Sequence, residues 1–310
     1  MDANRCQGDG TRAASHAGAA RRTVFATGLI VLTAGCDRGV LNPVGPVGHA
    51  EKMILINSTA IMLAIIIPTM IATVAVAWWF RSGNKKARYR PDWEYSGSIE
   101  LVVWSIPALT VLLLGGIAWI GSHDLDPAKP LPSRTAPLTV EVVSLDWKWL
   151  FIYPDQGIAV VNQLVVPAGT PVRFKLTSAT VWNVFFVPQF GTMIYTMPRM
   201  TTELNLQADR QGVYDGLSAH YSGAGFSGMN FKVHAVPPQQ FAAWAQGARG
   251  KGTALDGNAF AELMKPSSYV KPITYGAVAP RLFEAIVANR APASPVPPQQ
   301  PNQPVSGSGA

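Results

Sequence analysis

The sequence predicts a two-helix transmembrane hairpin followed by an all-β sandwich outside the membrane, with a short α-helical C-terminal extension. Three observations predict it. Two apolar runs, Met53 to Phe80 and Leu101 to Ile120, are each long enough to cross a hydrocarbon core of ~30 Å at about 1.5 Å per helical residue. A basic loop separates them, and from Leu138 to Val236 short strands follow one another at close spacing. The expected organisation is a signal peptide over 1–35, a lipidated linker over 36–52 and the hairpin over 53–121, with spans at about 53–80 and 100–121. The sandwich takes 122–236, the helical extension 237–290 and a disordered tail 291–310.

The front end reads as a processing segment. Arg21 and Arg22 precede a short apolar run from Thr23 to Leu32 and then Thr33-Ala34-Gly35-Cys36. That run is too short to span a bilayer, so a cleaved signal is expected. The ending is similar to a bacterial lipobox, which implies cleavage before Cys36 and acylation of its thiol and new amine. Acyl chains contribute ~0.8 kcal/mol per buried CH₂ and hold such a terminus at the membrane surface. The competing reading is ordinary cleavage or an uncleaved anchor, with Cys36 a free thiol. The long basic region also points to a start codon later than Met1.

In the hairpin, Trp78, Trp79, Trp104 and Trp119 lie near the span ends, where indoles prefer the interface. Pro68 and Pro107 would be costly in a soluble helix but are tolerated in bilayer helices whose neighbours satisfy the freed carbonyls. The connecting loop carries Arg81, Lys85, Lys86, Arg88 and Arg90 against Asp92 and Glu94, which sets that loop in the cytoplasm. Both ends of the hairpin then lie outside, in agreement with an exported Cys36. The net charge of +7 is otherwise scattered, so it is read as topology and not as a nucleic-acid footprint.

The exported part alternates. Val172, Phe174 and Leu176 interleave with Arg173, Lys175 and Thr177, as in a half-buried strand. Glu203 to Gln207 alternates likewise, and further strands are expected at Val140–Leu145, Ile158–Val166, Val184–Phe190 and Met229–His234. Helical patterns follow at Phe241–Gln246, Ala259–Met264 and Pro280–Asn289. From Ala291 onward the Pro, Gln, Ser and Gly content is that of a disordered tail. The two cysteines, Cys6 and Cys36, both precede the first span, so the exported part holds no disulfide and no thiolate metal site. Phosphate-binding, dinucleotide and hydrolase signatures are absent from the sequence.

Three segments together resemble subunit II of haem–copper oxidases. They are Glu100-Leu101-Val102-Val103-Trp104-Ser105-Ile106-Pro107, the run from Leu145 through Trp147 and Trp149 to Pro154, and Phe185 to Gly191. The stretch Tyr214 to Phe231 is similar to the branch that serves bacterial bo-type ubiquinol oxidases. The resemblance implies a cupredoxin-like sandwich in a periplasmic domain on the bacterial inner membrane. It implies a haem-bearing partner, subunit I, with two haems and a copper, which oxidises ubiquinol, reduces oxygen to water and pumps protons. Two small helical subunits, III and IV, and membrane lipid are the other implied partners. This chain would carry no cofactor and no catalytic residue of its own.

The family's copper-bearing branch builds a dinuclear site from Cys-x-Glu-x-Cys-Gly-x-x-His-x-x-Met and an earlier His. On that frame the two Cys positions hold Ser218 and Ser222, the Glu position His220, the His positions Phe226 and Asn183, and only Met229 is kept. A serine hydroxyl is a hard, protonated donor and does not replace the soft thiolate of copper electron-transfer sites. A loose set of His220, His234 and Met229 is weighed against ordinary hydrogen-bonded histidines and a core methionine, and the latter is favoured. Glu100, at the cytoplasmic edge of the second span, is a candidate for the mouth of a proton path, or a plain interfacial carboxylate. Trp147 and Trp149 read as an aromatic pair on one strand face. Two other readings compete with a copper-free quinol oxidase subunit: a cytochrome c oxidase subunit II, and a membrane-anchored lipoprotein binding module.

Overall fold

The structure is a computed structural model that describes residues 39–88 and 90–290. The expected signal peptide, Cys36 and the tail from Ala291 lie outside the described residues. Residues 39–42 form a turn closed by the Asn42 amide on the Gly39 carbonyl at 3.0 Å.

Two long helices come first, α1 (Pro46–Trp79) and α2 (Gly97–Asp124), both long and apolar enough to cross a membrane. Helix α1 starts inside the stretch expected as linker. Its first turn is anchored to the β domain: Val44 and Val47 are buried, the Val44 amide donates to the Gln189 carbonyl at 2.8 Å, and the Gly48 amide to that of Phe190 at 3.1 Å. Proline at the first helical position suits this start, since its missing N–H has no intrahelical use there. Gly45 is required where it stands, because a Cβ would lie 2.1 Å from the Gln207 carbonyl oxygen.

The β domain has two main sheets. The six-stranded one runs β12–β3–β2–β1–β5–β8 and the five-stranded one β4–β10–β9–β6–β7. Their strands are β1 (Leu138–Leu145), β2 (Lys148–Tyr153), β3 (Ile158–Val161), β4 (Gln163–Pro167), β5 (Pro171–Ser178), β6 (Asn183–Phe186), β7 (Ile194–Thr196), β8 (Thr202–Gln207), β9 (Gly212–Ser218), β10 (Asn230–Val236) and β12 (Ile273–Tyr275). Between the sheets Phe185 stacks on Phe231 at 5.3 Å, and Trp149 meets both rings edge-on.

Some expectations are corrected. The single strand expected over Ile158–Val166 breaks at Asn162, whose φ is 55°, and its halves enter different sheets. Asparagine tolerates this left-handed turn. Its side chain secures it, accepting from the Trp149 amide and donating to the Val270 carbonyl, each at 2.8 Å. The strand expected to reach Phe190 stops at Phe186, just before Val187-Pro188.

The extension is more than helical. It comprises α3 (Pro238–Ala248), β11 (Ala254–Leu255), α4 (Gly257–Leu263), β12, β13 (Ala277–Val278) and α5 (Leu282–Val287). Strand β12 joins the six-stranded sheet by pairing with β3. Leu255, Phe260, Leu263, Tyr275, Phe283 and Ile286 pack on the outward side of that sheet, against Val143, Leu145, Leu150 and Ile152. Strand β2 is therefore buried along its whole length instead of alternating.

Candidate functional site

Strands β6 and β9 are neighbours, with Phe185 opposite Ser218. This register sets Asn183 and Ser218 side by side, both buried. The Ser218 hydroxyl donates to Asn183 Oδ1 at 3.0 Å, and Asn183 Nδ2 donates to the Val181 carbonyl at 3.3 Å. The two residues satisfy each other, as buried polar groups must.

The loop from Ala219 to Met229 closes back on this pair through the Ser218 amide, which donates to the Met229 carbonyl at 3.2 Å. Met229 is buried in the core between the sheets. Trp147 lies across the loop and fixes its shape. Its Nε1 donates to the Ser222 carbonyl at 3.0 Å, and a Cβ on Gly225 would come within 2.3 Å of its ring. Trp147 is not on a strand face with Trp149; it sits in the two-residue turn between β1 and β2 at φ 62°, while Trp149 lies in the core.

The other frame positions point to packing. The His220 ring is 5.4 Å from that of Trp182 and 5.8 Å from that of Tyr195. Phe226 meets Tyr221 edge-on at 5.6 Å. The Ser222 hydroxyl is buried without a hydrogen-bond partner among the described residues. His234 is on β10, about 13 Å of strand beyond Asn230, so His220, His234 and Met229 do not converge. Among the described residues no group of three His, Cys, Asp or Glu is placed to hold a metal. Two hydroxyls, an amide, a phenyl, one imidazole packed against Trp182 and Tyr195, and one buried thioether do not fit a copper electron-transfer site, which needs thiolate as well as imidazole donors.

Comparison with known proteins bears on this frame. The family described as "Cytochrome C oxidase subunit II, periplasmic domain" matches residues 156–236, and "COX Aromatic Rich Motif" matches 249–290. The cytochrome bo(3) ubiquinol oxidase subunit 2 of Pseudomonas aeruginosa is 47% identical over 257 residues, 83% of this chain and 78% of that one. The ubiquinol oxidase subunit 2 of Acetobacter aceti is 47% identical over 261 residues, 83% of this chain and 84% of that one. The chain belongs to the ubiquinol oxidase subunit 2 family. The crystal structure of the periplasmic domain of subunit II of cytochrome oxidase of Bradyrhizobium japonicum is 26% identical, with a TM-score of 0.35, over 36% of this chain and 94% of that one.

The segment matched by the aromatic-rich motif is the cover on the outer sheet face, and it buries two charged residues that sequence reasoning missed. Lys148 lies beneath it with its ammonium donating to the Lys265 carbonyl at 2.7 Å and to the Ser267 hydroxyl. Burial pushes this amine down, with Asp146 opposing. Glu141 is 8% exposed, and burial and then Glu284 push its carboxyl up to about 7, partly offset by Lys175. The available signal was the unbroken apolar run Trp149 to Tyr153, which betrays a strand buried on both faces.

Glu100 stands in the first turn of α2, exposed, at the end of the helix remote from the β domain. A carboxylate there also suits the positive end of the helix dipole.

Proposed function

We propose that this chain is the copper-free, non-catalytic subunit II of a proton-pumping ubiquinol oxidase. In this reading a haem-bearing subunit I, with its haems and copper, oxidises ubiquinol and reduces oxygen to water. Small helical subunits III and IV complete the complex in the bacterial inner membrane. The observation that carries it is the hydrogen-bonded Asn183–Ser218 pair standing where a copper relay would need imidazole and thiolate. A periplasmic relay is needed when the electron donor is a soluble protein docking from that side. Quinol dissolves in the bilayer and reaches a haem there directly, so the sandwich persists as a brace. The reading keeps the organisation set out above: a signal over 1–35, lipid on Cys36, and the periplasmic domain from 122.

Purification by a tag on this chain tests it. Haem absorption and ubiquinol oxidase activity co-elute if it holds. Stoichiometric copper on this chain, seen as a near-infrared dinuclear band, overturns it. Mass spectrometry of the mature N-terminus tests the lipid, and an unmodified Cys36 removes that part. Glu100 is assigned to the mouth of a proton path into subunit I. Glu100→Gln then slows oxygen uptake while the complex still assembles, and unchanged uptake discards the assignment.

A further inference from the structure

Strand β1 sends Val140 and Val142 into the core between the sheets, and Glu141, Val143 and Leu145 to the opposite face. On an ordinary sandwich Glu141 would meet water. Here α5 and the turn before it close over that face. Glu141, Ile152, Tyr153, Gly157, Ala279, Arg281 and Glu284 line one cavity of about 170 Å³. The cover thus traps one carboxyl, and its own helix brings a second, Glu284, toward it.

The two buried charges under the cover are treated differently. Lys148 has a carbonyl and a hydroxyl supplied by the cover itself. Glu141 has no salt bridge among the described residues, although Lys175 stands opposite it in the β1–β5 ladder. Lys175 in turn stands opposite Glu203 of β8. Asp155, after β2, adds a further negative charge, and Arg281 at the head of α5 is the cation that lines this cavity. On β2 the facing residue is Ile152, which is uncharged.

We propose that the end of the aromatic-rich segment is a proton-responsive clasp, in which a protonated Glu141 holds α5 on the sheet and an ionised Glu141 loosens it. The sign follows from burial. A neutral carboxyl is tolerated beneath the helix, whereas a carboxylate is desolvated and repelled by Glu284 and Asp155. Because the folded group holds its proton up to about pH 7, docking is firm below the ordinary carboxyl range and weakens as pH rises through 7. The physiological meaning, a response to acidity on the side where protons are released, rests on the proposed function; the clasp itself does not.

Hydrogen exchange on the full chain in its membrane complex tests it, at pH 6 and pH 8, with rates corrected for intrinsic exchange. Amides of Leu282–Val287 exchange about threefold faster at pH 8, a discounted share of the roughly tenfold that the shift allows between these two pH values. Glu141→Gln, which mimics the protonated form, removes this step and leaves α5 protected at both pH values. Glu284→Gln shrinks the step without abolishing it. Equal protection of the unaltered protein at both pH values overturns the clasp, as does a step that survives Glu141→Gln. An equal step in β9 and β10 also overturns it, since that would be loosening of the whole domain. None of these readouts requires quinol turnover.

Discussion

The two faces of the six-stranded sheet are built on opposite terms. The inner face holds Trp149, Phe151 and Phe174 against Phe185 and Phe231, a core without a charged group. On the facing five-stranded sheet Asn183 and Ser218, both neutral, bond to each other. The outer face carries Glu141 and Lys148 under a cover drawn from much later in the chain. The inner face, packed with uncharged rings, gives pH little to act on. The outer face keeps two titratable groups under cover. The difference teaches that one sheet can be inert on the face turned to the core and, by the proposed clasp, responsive on the face that a later segment covers.

The inner face should break hardest. Trp149→Ala empties a site that is fully buried and touched by two other rings, and costs ~3–5 kcal/mol. Its indole N–H has no partner among the described residues, so the loss is one of packing alone. Thermal unfolding of the purified complex measures this. A loss below about 1 kcal/mol would mean that the inner core is far looser than its ring contacts imply.

On the outer face, Lys148→Met keeps the aliphatic stem and removes the donor to the Lys265 carbonyl and the Ser267 hydroxyl. Two polar groups then lose this donor, but the Ser267 hydroxyl still reaches the Lys265 carbonyl, so the cost is ~1 kcal/mol, with relief from burying an ammonium offsetting part of it. The damage should stay local. Proteolysis should open the segment around Ser267 while the β9–β10 pair remains protected. Cleavage spread over both sheets would erase the distinction between the faces.

How far the sequence showed this depends on where each signal lay. The hairpin was legible from run length, and β5 and β8 from clean alternation, because each signal is local. The break between β3 and β4 was hidden inside an apolar run, where only Asn162 marks the turn. Strand β9 was hidden by its glycines, although Gly216 is there because a Cβ would lie 2.1 Å from the Phe231 ring. The frame residues Asn183, Ser218, His220, Ser222, Phe226 and Met229 were legible only by resemblance, since serines and a phenylalanine announce no chemistry. The trapped Glu141 was legible only indirectly: the apolar run Trp149 to Tyr153 says that the neighbouring strand is covered on both faces, and nothing near Glu141 says that α5 is the cover.

The smallest effect belongs to the uncovered part of the same outer face. Two positions along β5 from Lys175, Arg173 forms a two-pronged ion pair with Glu203, both bonds at 2.8 Å, and both side chains are a third or more exposed. Such pairs are worth ~0.2–1 kcal/mol and weaken with salt. Arg173→Ala should therefore shift the melting of the complex only slightly, and less in high salt than in low. If the shift instead exceeded about 1 kcal/mol and ignored salt, this region too would be desolvated, by a partner subunit seated on it. The boundary between covered and open parts of the face would then move past Arg173. A small, salt-sensitive shift fixes that boundary between Arg173 and Glu141, and leaves cover by α5 as what separates a charge that matters from one that does not.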